Sequence, residues 1–116
     1  MPEWLDPVLW YRTLAPWRTE LLLAATIMSF ADYVTTTMFV KRAGPELESN
    51  RLLRWIMERW GIRGLWIFWV VVWTAVWFSG LFGALLLAFL TLMHSAALIN
   101  NLFVLRDLAR EDYAEA

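Results

Sequence analysis

The chain has 116 residues, of which 60% are hydrophobic and nine are tryptophan, and its formal net charge is −1. Soluble domains are about half apolar, so this composition predicts a single-domain, multi-pass protein of the cell membrane over 1–116. The absence of cysteine excludes disulfides, thiolate metal sites and a thiol nucleophile. The basic residues are dispersed along the chain, which gives no indication of nucleic-acid binding.

Three segments have the length and apolar character of membrane-spanning helices. No charged residue occurs between Arg63 and Arg106, an interval about twice the length of one span. The interval must fold back on itself, and the turn chemistry of Ser79–Gly83 marks the place. Small residues at one-turn spacing around that turn predict a close antiparallel hairpin of the last two spans. The three spans are predicted over 19–42, 64–79 and 82–105.

Two amphipathic segments are predicted to lie on the membrane surface. Residues 1–18 mix tryptophan and leucine with charged side chains, and they lack the basic start and apolar core of a cleavable signal. A second surface helix is predicted over 45–61, because Pro45 takes a first helical position and Glu46 lies in the first turn. A charged tail over 106–116 follows the last span.

Basic residues predict how the chain is oriented, since they concentrate on the cytoplasmic side of membrane proteins. The side predicted to be outside carries only Arg12 and Arg18. The N-terminus is therefore predicted outside and the C-terminus in the cytoplasm. The predicted fold class is an all-α integral membrane protein with three transmembrane helices and interfacial amphipathic helices. The cytoplasmic basic residues are Lys41, Arg42, Arg51, Arg54, Arg59, Arg63, Arg106 and Arg110.

The second predicted span carries a stripe of four tryptophans at spacings of three and four, which places them on one helix face. One interpretation is a wall for an apolar ligand such as a quinone, a carotenoid or a lipid tail, or a face for lipid or a partner protein. The other interpretation, which we favour, is packing against another helix or against the lipid. The stripe consists of Trp66, Trp69, Trp73 and Trp77.

A carboxylate within the first span is the main functional clue. Asp32 lies past the middle of that span, where a buried charge costs about 3 kcal/mol or more. His94 lies at a similar depth in the third span, so the two side chains can meet. Thr35 and Thr36 share the face of Asp32, and Asn101 shares the face of His94. These two polar faces are predicted to line one seam that opens near the loop after the first span.

Glu48 and Asn50 in that loop are predicted to cap the seam. In one interpretation the cluster binds or conducts a cation or a proton, since carboxylate, imidazole and amide groups are suited to both. In a second, the polar groups join helices within the protein or to a partner subunit. In a third, His94 or Asp32 is a catalytic base towards a lipid-soluble substrate. The first leads, because Ser, Thr or Asn would join helices at a lower cost than Asp, and the enzyme is least favoured.

The single histidine excludes a multi-histidine zinc or haem site within one protomer. Asp32 and His94 are left as candidate ligands for a metal cation, and no other cofactor is indicated. Three short spans enclose little volume. We therefore expect a homo-oligomer, or a subunit of a larger membrane complex, surrounded by membrane lipid.

Three short motifs resemble those of an uncharacterised family of small multi-span prokaryotic membrane proteins. The motifs are Asp32–Thr36 in the first span, the break at Lys41–Gly44 and Glu48–Asn50 at the start of the next helix. Members of that family have an Asp and a Thr in one span, Glu-x-Asn-Pro in the following loop and a late Asn. Arg51 stands here where the family has Pro. The resemblance covers about residues 20 to 105 and supplies no activity. It implies as residues of interest Asp32, Thr36, Glu48, Asn50 and either Asn100 or Asn101.

Overall fold

The chain folds into helices joined by short turns. The computed structural model describes residues 2–80 and 83–115, with side chains up to Glu111. Part of the predicted turn, the first residue of the span predicted over 82–105 and both terminal residues lie outside this description. The described residues contain no strand, which confirms the all-α prediction. The α-helices are α1 (Pro7–Leu14), α2 (Arg18–Ala43), α3 (Arg51–Ser79) and α4 (Ala84–Glu115).

Three helical segments are long and apolar enough to cross a membrane, as judged by their length and composition. The first runs through α1 and α2, and the other two lie in α3 and α4. The prediction of three apolar helices of membrane-spanning length is therefore confirmed. Helix α4 continues beyond the apolar part into the charged residues of the predicted tail.

Glycine and proline end α2 abruptly. Gly44 has φ 89° and ψ 169°, a conformation that residues with a side chain rarely adopt. Its N–H still donates to the Val40 carbonyl at 2.8 Å, which closes the last turn of the helix. Residues Pro45–Leu47 then form a single 3₁₀ turn. The loop over 44–50 is thereby folded back against the end of α2.

The helix predicted from Pro45 begins six residues later, at Arg51. Asn50 is its N-cap, and the Asn50 side-chain oxygen accepts from the N–H groups of Leu52 and Leu53 at 3.0 and 3.3 Å. Gly61 interrupts α3 with φ 71° and ψ −163°. This break divides α3 into 51–60 and 62–79, and it falls between the predicted surface helix and the predicted second span.

Helix α2 is the central element, and α4 packs closely along it. The close hairpin expected between the last two spans is not found among the described residues, where α3 and α4 make few close backbone approaches to each other. Helix α3 instead packs on α2 through bulky side chains, which keep the two backbones apart. One apolar cluster joins all three helices through Leu22, Ala25, Trp73, Val76 and Leu87.

Candidate functional site

The tryptophan stripe of α3 faces α2. Three indole N–H groups donate to three hydroxyls of α2, and each hydroxyl also donates to a backbone carbonyl of its own helix. The fourth indole, Trp73, is buried in the apolar cluster. These contacts are those of helix packing within the chain. The donor and acceptor pairs are Trp66 with Thr37 at 3.0 Å, Trp69 with Ser29 at 3.1 Å, and Trp77 with Thr26 at 3.1 Å.

Asp32 is buried on the side of α2 where α4 packs. Its Oδ2 atom lies 3.0 Å from Nδ1 of His94, and its Oδ1 atom accepts from Nδ2 of Asn101 at 2.7 Å. The contact with His94 is the one predicted from the matching depths of the two residues. Both carboxylate oxygens therefore have a nitrogen partner on α4, which lowers the cost of burying the charge.

One amide group of Asn101 reaches four acceptors on α2. Besides Oδ1 of Asp32, its Nδ2 atom lies 3.0 Å from the Asp32 carbonyl, 2.9 Å from Oγ1 of Thr35 and 3.1 Å from Oγ1 of Thr36. An amide has only two hydrogens, so these bonds are shared. Asn101 is 4% exposed, whereas the neighbouring Asn100 is exposed. Asn101 is therefore the late asparagine that joins the helices.

A cavity of about 300 Å³ lies beside this cluster, between α2, α4 and the loop over 44–50. Thr35 and Thr36 are buried behind Asn101 and do not line it. Much of the lining is polar, unlike the apolar pocket that a lipid-soluble substrate would need. The predicted residues on its wall are Asp32, Glu48, Asn50, His94, Asn100 and Asn101.

Glu48 is a second buried carboxylate on the cavity wall and is 7% exposed. Its Oε1 atom accepts from the Asn50 N–H at 3.0 Å, while its buried Oε2 atom has no hydrogen-bond partner among the described residues. Burial raises the pKa of the Glu48 carboxyl, and the charge of Asp32 raises it further. The Asn50 N–H and the nearby Thr36 hydroxyl act in the opposite direction on that pKa.

Asn50 contributes to the site through both its side chain and its backbone. Its side-chain oxygen caps α3, and its N–H holds the Glu48 carboxyl. These two bonds fix the loop against the start of α3. The sequence interpretation placed Asn50 at the mouth of the seam, and the structure places it on the cavity wall.

Sequence reasoning missed Tyr33, which also lines the cavity. Its ring centroid lies 6.5 Å from that of His94, and the Trp73 centroid lies 6.2 Å from that of His94. The histidine ring therefore has two aromatic neighbours. A usable signal was present, because a tyrosine near the middle of an apolar span is far from the interface that tyrosine prefers.

The described residues contain no group of three His, Asp or Glu side chains that could hold a metal ion. The candidate metal ligands Asp32 and His94 contact each other instead. A metal at this position would need oxygen ligands from amides, hydroxyls, water or a second subunit.

Comparisons of the chain with family models, with curated proteins and with solved structures gave no match. The resemblance to the uncharacterised family of small membrane proteins therefore rests on the short motifs alone.

Proposed function

We propose that this chain is a multi-pass membrane protein that binds a small cation or a proton in the cavity between α2, α4 and the loop over 44–50. The observation that supports this most is the presence of two buried carboxylates, Asp32 and Glu48, on one cavity of about 300 Å³. Buried carboxylates are rare unless they are paired, and here one oxygen of Glu48 has no partner among the described residues.

The two carboxylates on the cavity wall favour a positively charged ligand. A cation or a bound proton supplies the unpartnered Glu48 oxygen with an interaction, and it offsets the repulsion between the two carboxylates. An anion in the same place would meet two negative groups. The amide and imidazole groups of Asn100 and His94 on the wall add further polar contacts.

The pair of Asp32 and His94 provides a place to hold a proton deeper in the cluster. The 3.0 Å contact between Nδ1 and Oδ2 is short enough for a proton to be shared between imidazole and carboxylate. A proton that enters at Glu48 can therefore be accepted further along the same cavity.

Orientation and assembly form part of the proposal. The basic residues around the loop favour a cytoplasmic position for the cavity mouth, by the positive-inside rule. The carboxylate cavity of one protomer is small, at about 300 Å³, so we infer that passage across the membrane requires a homo-oligomer or a partner subunit.

The experiment that tests this function is native mass spectrometry of the protein extracted gently with lipid, compared with Asp32→Asn. We expect a defined oligomer that carries the added mass of a small ligand, together with cation or proton flux in vesicles, and we expect Asp32→Asn to lose both. Asp107→Asn is the matched control, because its side chain is 61% exposed on α4. The proposal fails if Asp32→Asn folds and assembles normally and keeps ligand and flux.

The alternative is that the cluster only joins helices in an accessory subunit of a larger complex. The observation in its favour is that Asn101 bonds Asp32, Thr35 and Thr36 within one chain. This alternative predicts that Asp32→Asn lowers stability while the wild-type protein carries no ligand. The tryptophan stripe is a poor probe of a partner, since changing Trp69 and Trp73 to alanine would also remove contacts with α2.

A further inference from the structure

A second cavity, of about 520 Å³, lies at the break in α3, away from the carboxylates. Ile56 and Trp60 line it before the break, and apolar side chains of the following turns line it after the break. Gly61 changes the direction of the helix at this point. The result is an apolar groove where the amphipathic segment 51–60 joins the apolar segment 62–79.

Gly64 keeps the two walls of the groove close together. A Cβ atom at this position would lie 2.6 Å from Cβ of Trp60 and 3.2 Å from Cγ2 of Ile56. Beyond Gly64 the wall consists of Ile67, Phe68 and Val71, and Ile67 is 65% exposed. The volume lies within the range of pockets that hold small molecules, about 300–1,000 Å³.

Arg63 is the charged residue on the groove. It is exposed, and no ion pair or hydrogen bond involves its side chain among the residues that the structure describes. Arg59, on the preceding turn, instead lies over the Trp55 and Trp60 rings at 5.2 and 6.0 Å. The groove therefore places the guanidinium group of Arg63 beside an apolar surface. This position is the junction of a surface helix and a spanning helix.

We propose that this groove binds an anionic phospholipid, with one acyl chain on the apolar wall and the phosphate paired with Arg63. Hydrocarbon contact and a positive charge at the headgroup level are the two features that such a lipid recognises. A basic residue near an anionic membrane surface contributes about 1 kcal/mol, or about fivefold in affinity. This site is separate from the carboxylate cavity, and it stands or fails independently of the proposed function.

The test is native mass spectrometry of the full chain in detergent, titrated with phosphatidylglycerol or with phosphatidylcholine of identical acyl chains. We expect the first phosphatidylglycerol to bind about fivefold more tightly than phosphatidylcholine. Arg63→Gln should remove this preference. Arg54→Gln, on the same helix α3 but off the groove, should retain it.

A second pair of variants tests the acyl-chain contact. Ile67→Trp fills the groove from an exposed position and should weaken the binding of both lipids severalfold. Ile99→Trp, 55% exposed on α4 and off the groove, should leave both affinities unchanged. Equal affinity of the wild-type protein for the two lipids, an unchanged preference in Arg63→Gln, or unchanged binding in Ile67→Trp would each overturn the proposal. Loss of a dimer in Ile67→Trp, without a change in lipid binding, would instead assign the groove to contact between copies.

Discussion

Asn101 holds α4 to α2 through a single amide group. The hydrogen bonds of the cluster between the two helices therefore depend largely on this one side chain. Its partners include Oδ1 of Asp32 and the hydroxyls of two threonines. Without the amide, a buried carboxylate oxygen loses a donor that the apolar surroundings cannot replace. The cost of leaving such a group unsatisfied exceeds the value of an ordinary hydrogen bond.

We expect Asn101→Ala to lower the free energy of unfolding by about 1–3 kcal/mol, because it leaves Oδ1 of Asp32 without this donor. The measurement is unfolding in detergent or lipid followed by tryptophan fluorescence. Asn100→Ala is the matched control, since Asn100 is exposed on the same turn, and it should change stability by less than about 0.5 kcal/mol. Equal losses in the two variants would contradict this account of Asn101.

Glu48 should make stability depend on pH. Because the pKa of its carboxyl is raised in the folded protein, the folded state keeps the proton to a higher pH than the unfolded chain does. This contribution is complete below the ordinary value of 4.5 and is lost as the pH rises through the folded pKa. We expect the wild-type unfolding temperature to fall over that interval and the dependence to be weaker in Glu48→Gln.

The matched control for this pH series is Glu46→Gln, which removes an exposed carboxyl from the same loop. It should follow the wild-type pH dependence, with both series measured by thermal unfolding. A Glu48→Gln protein with the same dependence as the wild type would assign the effect to another group.

Part of the site can be predicted from the sequence. The similar depths of Asp32 and His94 follow from helical rise, because the first and third spans run in the same direction and the two residues lie equally far along them, so the two side chains can meet. The unpartnered Oε2 of Glu48 could not be predicted. Its position depends on the backbone angles of Gly44 and on the cap formed by Asn50, which place the loop in three dimensions.

At the scale of the elements, periodicity defines a helix face but does not identify what that face contacts. The spacing of the tryptophans predicts one stripe, yet the α2 hydroxyls at Thr26, Ser29 and Thr37 determine where it docks. The small residues near the turn predict close packing of the α3 and α4 backbones, which the described residues do not show. The bulky indoles of α3 keep its backbone apart from that of α2. On the other face, the smaller side chains of α2 allow the backbone of α4 to approach closely.

Gly61 should be required for the shape of α3. Its φ of 71° and ψ of −163° fall in a region that is nearly restricted to glycine. We expect Gly61→Ala to cost about 1–3 kcal/mol of unfolding free energy through backbone strain, since no atom lies within 4 Å of the added Cβ.

Gly83→Ala is the control for this change. An added Cβ at Gly83 would lie 3.8 Å from Cε2 of Tyr11, an ordinary contact. It should therefore leave stability within about 0.5 kcal/mol of the wild type. Chemical denaturation of both variants measures the difference, and an unaffected Gly61→Ala would show that the break tolerates a side chain.

At the scale of the whole molecule, the distribution of basic residues predicts the orientation in the membrane. The chain contains no cysteine, so single cysteines can be introduced without a background. We expect an impermeant maleimide to label Glu3→Cys on intact spheroplasts and to reach Ser49→Cys only after the membrane is opened. Both positions are exposed in the fold. If Ser49→Cys alone were labelled on intact spheroplasts, the orientation in the membrane would be the opposite of the predicted one.

Helix α2 binds its two neighbours by different chemistry on different faces, with indoles of α3 on one and polar groups of α4 on the other. Few close approaches join α3 directly to α4 among the described residues. We therefore expect covalent continuity between these two helices to be dispensable for their positions. If the chain is divided between Gly80 and Gly83 and the two fragments are co-expressed, they should retain nearly all the interactions that assemble the fold. The protein is therefore suited to split-fragment complementation.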